Sequence, residues 1–180
     1  VSYNSGSGGN VSWIEKHPMA KKISTRQQAQ DRCEKLMGQL SRAMESPALT
    51  YGEITRIKDQ GLYLISDRNK IIYVGKTGRS GQERMRELAA DFRSHTLNRK
   101  LLRDHLRKRG LELSGSAATI KQKLIEAALV TEAEFRDHQA TINAHIRDKF
   151  IFRFAAIADV AELGRLEYFA IALLDPIYND

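Results

Sequence analysis

The sequence predicts an α/β domain: a small, three-stranded, mostly antiparallel sheet flanked by helices, with a helical insertion and an N-terminal helical extension. Three observations carry this reading. Two short β-branched and aromatic runs, residues 61–65 and 71–75, flank a polar stretch and read as an antiparallel hairpin. A third such run covers residues 150–157. Around these runs apolar residues recur three and four apart, which is the helical period.

The elements follow in order. Residues 1–22 have no steady period, and the Ser/Gly/Asn stretch at 1–10 reads as a flexible tail without the apolar core of a signal peptide. A helix is expected from Ser24 or Thr25 to about Glu45. Ala29, Cys33, Leu36, Met37, Leu40 and Met44 form its stripe, and Ser46-Pro47 stops it. Cys33 is expected to be buried in that stripe as a small hydrophobe. The hairpin is read with a five-residue loop, 66–70. A Gly-rich segment then leads into a helix at 82–93.

A further helix spans 97–109, with Leu97, Leu101, Leu102 and Leu106 inward and Gly110 as its stop. Residues 111–149 read as a helical unit. Ser116 caps one helix through Leu129, and Thr131 with Glu134 makes a capping box for the next. Having its own caps and apolar stripes, this unit is expected to fold semi-independently. The last helix, 160–174, stops at Asp175-Pro176. The organisation expected is a tail and helix over 1–50 and a main domain over 51–180, interrupted by the insertion 111–149.

Composition narrows the function. The chain has 180 residues and a net charge of +7, and residues 76–110 hold eleven basic against four acidic side chains. Such a block is the footprint of a phosphate-backbone binder, and equally that of a solvated Arg-rich helical face. No stretch is long and apolar enough for a membrane helix, so no membrane partner is expected and the cytoplasm is the expected location. One cysteine excludes an intramolecular disulfide and a Cys-rich zinc site. The five histidines lack ligand spacing, and Gly75-Lys76-Thr77-Gly78 lacks the spacer of a phosphate-cradling loop. Tyr63 and Tyr73, each close to a glycine, and Glu167, amid apolar neighbours, could serve phosphodiester hydrolysis. Taken alone they read as two sheet residues and an ion-paired carboxylate.

The ordered pattern is more specific. Gly61-Leu62-Tyr63, nine residues, then Tyr73-Val74-Gly75 resembles the paired tripeptides of the GIY-YIG nuclease superfamily. The resemblance continues through Arg84 on the following helix, His95 before a Leu-rich helix ending in Gly110, the third strand, Glu167, and Pro176-Ile177-Tyr178-Asn179. It covers 61–110 and 150–180. The chain departs from the pattern at Leu62, at Leu88, where relatives carry His or Tyr one turn after the arginine, and in its insertion. A second resemblance, to a SAP-type DNA-binding motif, rests on Leu102, Leu106, Gly110, Ser114-Gly115, Ile120 and Leu124.

The first resemblance implies a metal-dependent DNA endonuclease. It has Glu167 ligate one Mg²⁺ or Mn²⁺ per active site, Tyr63 orient or deprotonate the attacking water, and Tyr73 hold the phosphate. Arg84 neutralises charge on the phosphate, with Arg86 as its rival at nearly the same spacing. Lys76 binds phosphate or lowers a tyrosine pKa, His95 takes the role missing at Leu88, and Asn179 orients the site. Contacts to double-stranded DNA are expected from Lys76, Arg79, Arg86, Arg99, Lys100, Arg103 and Arg107. A restriction-type or phage or mobile-element enzyme, working as a homodimer to cut both strands, is the reading preferred. The alternatives are a structure-specific repair nuclease and a non-catalytic DNA-binding module.

Overall fold

A computed structural model describes residues 24–111 and 119–179. The expected α/β fold is present. Strands β1 (Gly61–Asp67), β2 (Lys70–Thr77) and β3 (Ile151–Ala156) form one antiparallel sheet in the order β2-β1-β3. The hairpin loop is tighter than expected. Only Arg68 and Asn69 separate the strands, at φ 48° and 68°. Two successive left-handed residues match the right-handed strand twist, and a polar Asn tolerates that conformation.

One irregularity in β2 sets which side chains face which way. Ile65 pairs with Tyr73 but Ser66 pairs with Ile71, so Ile72 is an extra, bulged residue. Ile72 and Tyr73 therefore both face the cluster that holds Tyr63, Ile65 and Phe152. Leu62, Leu64 and Val74 face the other way.

Helices cover both faces. On the Tyr63 face lie α2 (Tyr51–Ile54), α3 (Gly81–Leu88), α4 (Thr96–Arg107), α5 (Ile120–Glu126) and α6 (Glu132–Lys149). On the Leu62 face lie α1 (Thr25–Glu45) and α7 (Val160–Leu174). Caps define several ends. Thr50 with Glu53 and Thr131 with Glu134 form capping boxes, and Asp159 accepts from Ala161 and Glu162 N–H at the start of α7. Among the described residues no helix is long and apolar enough to cross a membrane.

Three expectations are corrected. First, α1 buries only Leu36, Gln39, Leu40 and Ala43, while Cys33 is exposed. Only the C-terminal half of α1 reaches the sheet, so Ala29 and Cys33 lie beyond it, while Met37 and Met44 sit at the exposed rim of the buried stripe. Second, the helix after the hairpin ends at Leu88 instead of Arg93. Side chains from α4 and α6 take over the backbone beyond it. Asn98 Nδ2 donates to Leu88 O (2.7 Å), Arg147 to Ala89 O (2.9 Å) and Asn143 Nδ2 to Ala90 O (2.9 Å), while Gln139 Oε1 accepts from Phe92 N–H (3.1 Å). The chain ends are thereby satisfied without further helical bonds.

Third, residues 111–149 do not pack as a semi-independent unit. Ile120, Leu124, Val130, Phe135, Ile142 and Ile146 belong to the same buried cluster as Tyr63, Tyr73, Leu97 and Leu102. The Ser114-Gly115 turn and the Ser116 cap lie outside the described residues, and α5 begins after Thr119.

Candidate active site

The site begins with two glycines. Gly75 lies directly across from Tyr63 in the hairpin, and a Cβ there would sit 2.4 Å from the Tyr63 ring. A Cβ at Gly61 would sit 2.2 Å from Ala155 O. Neither position has room for a side chain, so the Tyr63 ring lies flat across β2. Gly75→Ala is therefore expected to lower stability by about 1–3 kcal/mol, as overpacking does, in urea unfolding.

Tyr63 has no exposed surface and is the centre of a cluster. Its ring stacks on Tyr73 with centroids 6.2 Å apart, and Tyr73 lies 5.6 Å from the His95 ring. His95 is the N-cap of α4, where Nδ1 accepts from Leu97 N–H at 3.1 Å. A neutral ring accepting at Nδ1 carries its proton on Nε2. That proton is donated to Tyr63 Oη, 3.0 Å away. Arg84 Nε donates to the same oxygen at 3.3 Å. Tyr63 Oη thus takes two donors, and the Tyr63 hydroxyl in turn favours the ionised form of the neighbouring Tyr73.

The titrations follow from burial. Desolvation pushes Tyr63 far above the ordinary phenol value, and the neighbouring Tyr73 adds to this against the opposing pull of Arg84. Desolvation also raises Tyr73, opposed by Arg84 and reinforced by the Glu167 charge. Burial, with the fields of Arg84 and Arg99, pushes His95 down to about 3. His95 is therefore neutral in the folded state while an unfolded His95 takes up a proton below about 6.5. More protons bind the unfolded chain, so stability falls as pH drops from about 6.5 toward about 3. His95→Gln should flatten this slope by about 1.4 kcal/mol per pH unit in that window, checked by urea unfolding at several pH values.

Arg84 is the arginine that α3 turns toward the tyrosines, whereas Arg86 is exposed on the same helix. The Arg84 guanidinium is fixed at two ends. Nε meets Tyr63, and Nη1 meets Glu87 at 2.9 Å. Glu87 also pairs with Arg79 at 2.6 Å. Burial alone would raise the Glu87 carboxyl, but hydrogen bonds from Arg79 and Arg84 hold it below the usual range. Glu87 was not singled out in the sequence, where it is one of many helix-surface acids. Its i,i+3 spacing from Arg84 was the available signal.

Lys76 and Glu167 form a second group. By strand alternation Lys76 faces α7, where Nζ meets Glu167 Oε2 at 3.0 Å. This pair lies across the β2 edge from the tyrosine cluster, yet the Glu167 charge acts on both tyrosines. Asn179 does not touch either group. It clamps the backbone of β2 between Tyr73 and Gly75, with Oδ1 accepting from Val74 N–H and Nδ2 donating to Val74 O, both at 2.7 Å. Asn179 thus closes the open side of the edge strand that carries Tyr73.

The expected DNA-contacting residues divide. Arg99 lies close enough to act on Tyr73 and His95 and donates to Thr96 Oγ1. Lys100, Arg103 and Arg107 instead line a cleft of about 360 Å³ with Asp104, Ile177 and Tyr178. There Asp104 pairs with Arg107 and accepts from Tyr178 Oη at 2.9 Å. Burial and that hydrogen bond push Tyr178 up to about 12.

Among the described residues no three His, Cys, Asp or Glu side chains gather into a metal cluster. Glu167 is a single carboxylate oxygen donor, partly exposed, with an ammonium as its present partner. That donor set fits a hard cation that keeps most of its shell as water and phosphate oxygen, which is the habit of Mg²⁺. Such a cation would take the place of the Lys76 ammonium on Glu167. Comparison with protein-family models, with curated proteins and with solved structures finds no match to this chain.

Proposed function

We propose that this protein is a metal-dependent DNA endonuclease of GIY-YIG type. The observation that carries the reading is the convergence of Tyr63, Tyr73, Arg84 and His95 on one hydrogen-bonded, stacked cluster, with Lys76 and Glu167 across the same strand edge. These residues span more than a hundred positions of sequence. Helices, the hairpin and a bulge must all cooperate to assemble them.

This reading divides the roles by burial and so departs from the resemblance. Tyr63 is fully covered, whereas Tyr73 keeps 8% of its surface. In this reading Tyr63 and His95 form the buried support that directs Arg84 and Tyr73 outward. Tyr73 then meets the phosphate or its attacking water. Arg84, held by Tyr63 and Glu87, neutralises charge that builds on the phosphate, an effect worth several kcal/mol for a fixed donor in a partly dry site. Lys76, released from Glu167, binds a phosphate oxygen. Mg²⁺ or Mn²⁺ on Glu167 would supply charge stabilisation at the leaving oxygen. Arg99 and the Lys100, Arg103 and Arg107 face of α4 hold the duplex backbone. A homodimer acting in the cytoplasm, cutting both strands, is part of this reading.

Incubating supercoiled plasmid with the protein tests it. Nicked and linear DNA should accumulate with Mg²⁺ and not with EDTA. DNA retention without cleavage in any divalent metal would identify a binding module instead. A strong preference for branched over linear DNA would favour the repair-type alternative.

A further inference from the structure

Tyr168 stands out on α7. It is 72% exposed and is the one aromatic residue among the large exposed hydrophobics of the described residues. It immediately follows Glu167, and the Lys76 ammonium lies 5.6 Å from its ring centroid. Lys76 therefore bridges the Glu167 carboxylate and the Tyr168 ring.

The surroundings indicate what such a ring is for. A ring waiting for an apolar protein partner lies in an apolar patch. Tyr168 does not. One turn before it on the same helix face are Gly164 and the exposed Arg165. The other large exposed apolar residues of α7, Val160 and Leu173, are eight and five positions away, about 80° and 140° around the helix, and the exposed apolar residues nearer its own face, Ala161 and Ala172, are small. Gly164 has no side chain, and the Lys76 ammonium sits against its backbone, 3.4 Å from where a Cβ would lie. The local setting is two cations, one of them seated against a bare glycine backbone, and an exposed aromatic ring. Cations that track phosphate beside an aromatic face form the usual platform for unpaired nucleobases.

We propose that Tyr168 is a stacking platform for a nucleobase displaced from the duplex next to the phosphate that Lys76 holds. This rests on the nuclease reading and specifies its substrate class: DNA with an unpaired or flipped-out nucleotide at the cleavage point. Lys76, seated against the Gly164 backbone, sets the phosphate, and the Tyr168 ring covers the base. The preference comes from geometry and not from base identity, since every base presents a π-face.

The test measures binding in EDTA, where nothing is cut. Two duplexes carry 2-aminopurine, one fully paired and one with the probe in a single-nucleotide bulge. The wild-type chain is expected to bind the bulged duplex more tightly and to quench its probe. Tyr168→Ala should lose the quenching and weaken bulge binding roughly 5- to 100-fold, while leaving binding to paired duplex unchanged. Tyr168→Phe should keep both effects. Because the side chain is exposed, all three proteins should show the same thermal unfolding. Equal loss of paired and bulged binding in Tyr168→Ala would overturn the proposal, as would a Phe variant that behaves like Ala. A homodimer that dissociates on Tyr168→Ala with no change in probe signal would assign the ring to a second copy and also overturn it. Any of these with intact Mg²⁺-dependent cleavage leaves the nuclease reading standing. Failure of the wild-type chain to bind either DNA overturns both.

Discussion

Glu167→Gln is expected to reduce DNA cleavage by roughly a hundredfold to a thousandfold or more, the loss typical of removing one charge-stabilising group from an active site. DNA binding in EDTA should remain nearly intact. Gln keeps the shape and can still accept from Lys76, but it cannot offer a charged oxygen to a divalent cation. Stability separates this role from a structural one. The Lys76 and Glu167 side chains are 39% and 18% exposed, so their ion pair contributes about 0–1 kcal/mol after solvent screening. A thermal midpoint within a few degrees of wild type, with cleavage gone, is the expected pair of results. Normal turnover in this variant would remove Glu167 from the chemistry, and the metal with it.

Replacing residues 111–149 by a short Gly/Ser linker is expected to abolish folding, and not merely to relax substrate choice. Ile120, Leu124, Val130, Phe135, Ile142 and Ile146 are all buried in the cluster that contains Tyr63 and Tyr73. At about 1.5–3 kcal/mol for each buried apolar side chain, their loss is comparable to or larger than the whole stability of a typical domain, about 5–15 kcal/mol. The polar contacts point the same way. Gln139 Nε2 donates to Asn98 Oδ1 and Asn143 Oδ1, both at 2.9 Å, while Asn98 Nδ2 donates to Asn143 Oδ1 at 2.8 Å. Without α6, Asn98 would be buried with part of its hydrogen bonding unmet. The loop from Leu88 to Phe92, just ahead of His95, would lose three ties. Circular dichroism and urea unfolding of the shortened chain check this. A cooperative native-like transition would restore the semi-independent unit read from the sequence.

Much of the site was legible before any fold was known. Tyr63, Tyr73, Arg84 and His95 were named from an ordered pattern and do converge. Lys76 and Glu167 were named separately and meet in an ion pair. Glu87 and Tyr168 were not named, because neither differs in sequence from an ordinary helix-surface residue. What marks them is a neighbour eight positions back for Glu87, and one on another element for Tyr168.

The sequence by itself determined the local structure. Strand alternation at 61–77, the Ser24, Thr50, Thr131 and Asp159 caps, and the stop at Asp175 all depend on groups within four residues of one another. Hydrogen bonds and sterics at that range act before tertiary structure forms. Only the tertiary structure decided which stretches met a partner surface. It left Cys33 in water because the sheet ends short of the first half of α1. It drew α5 and α6 into the main core and placed the bulge at Ile72 that turns Tyr73 toward Tyr63. Burial is a property of two surfaces at once. The periodicity of one segment states which face is apolar, while the contact that covers it is made by residues far away in the chain.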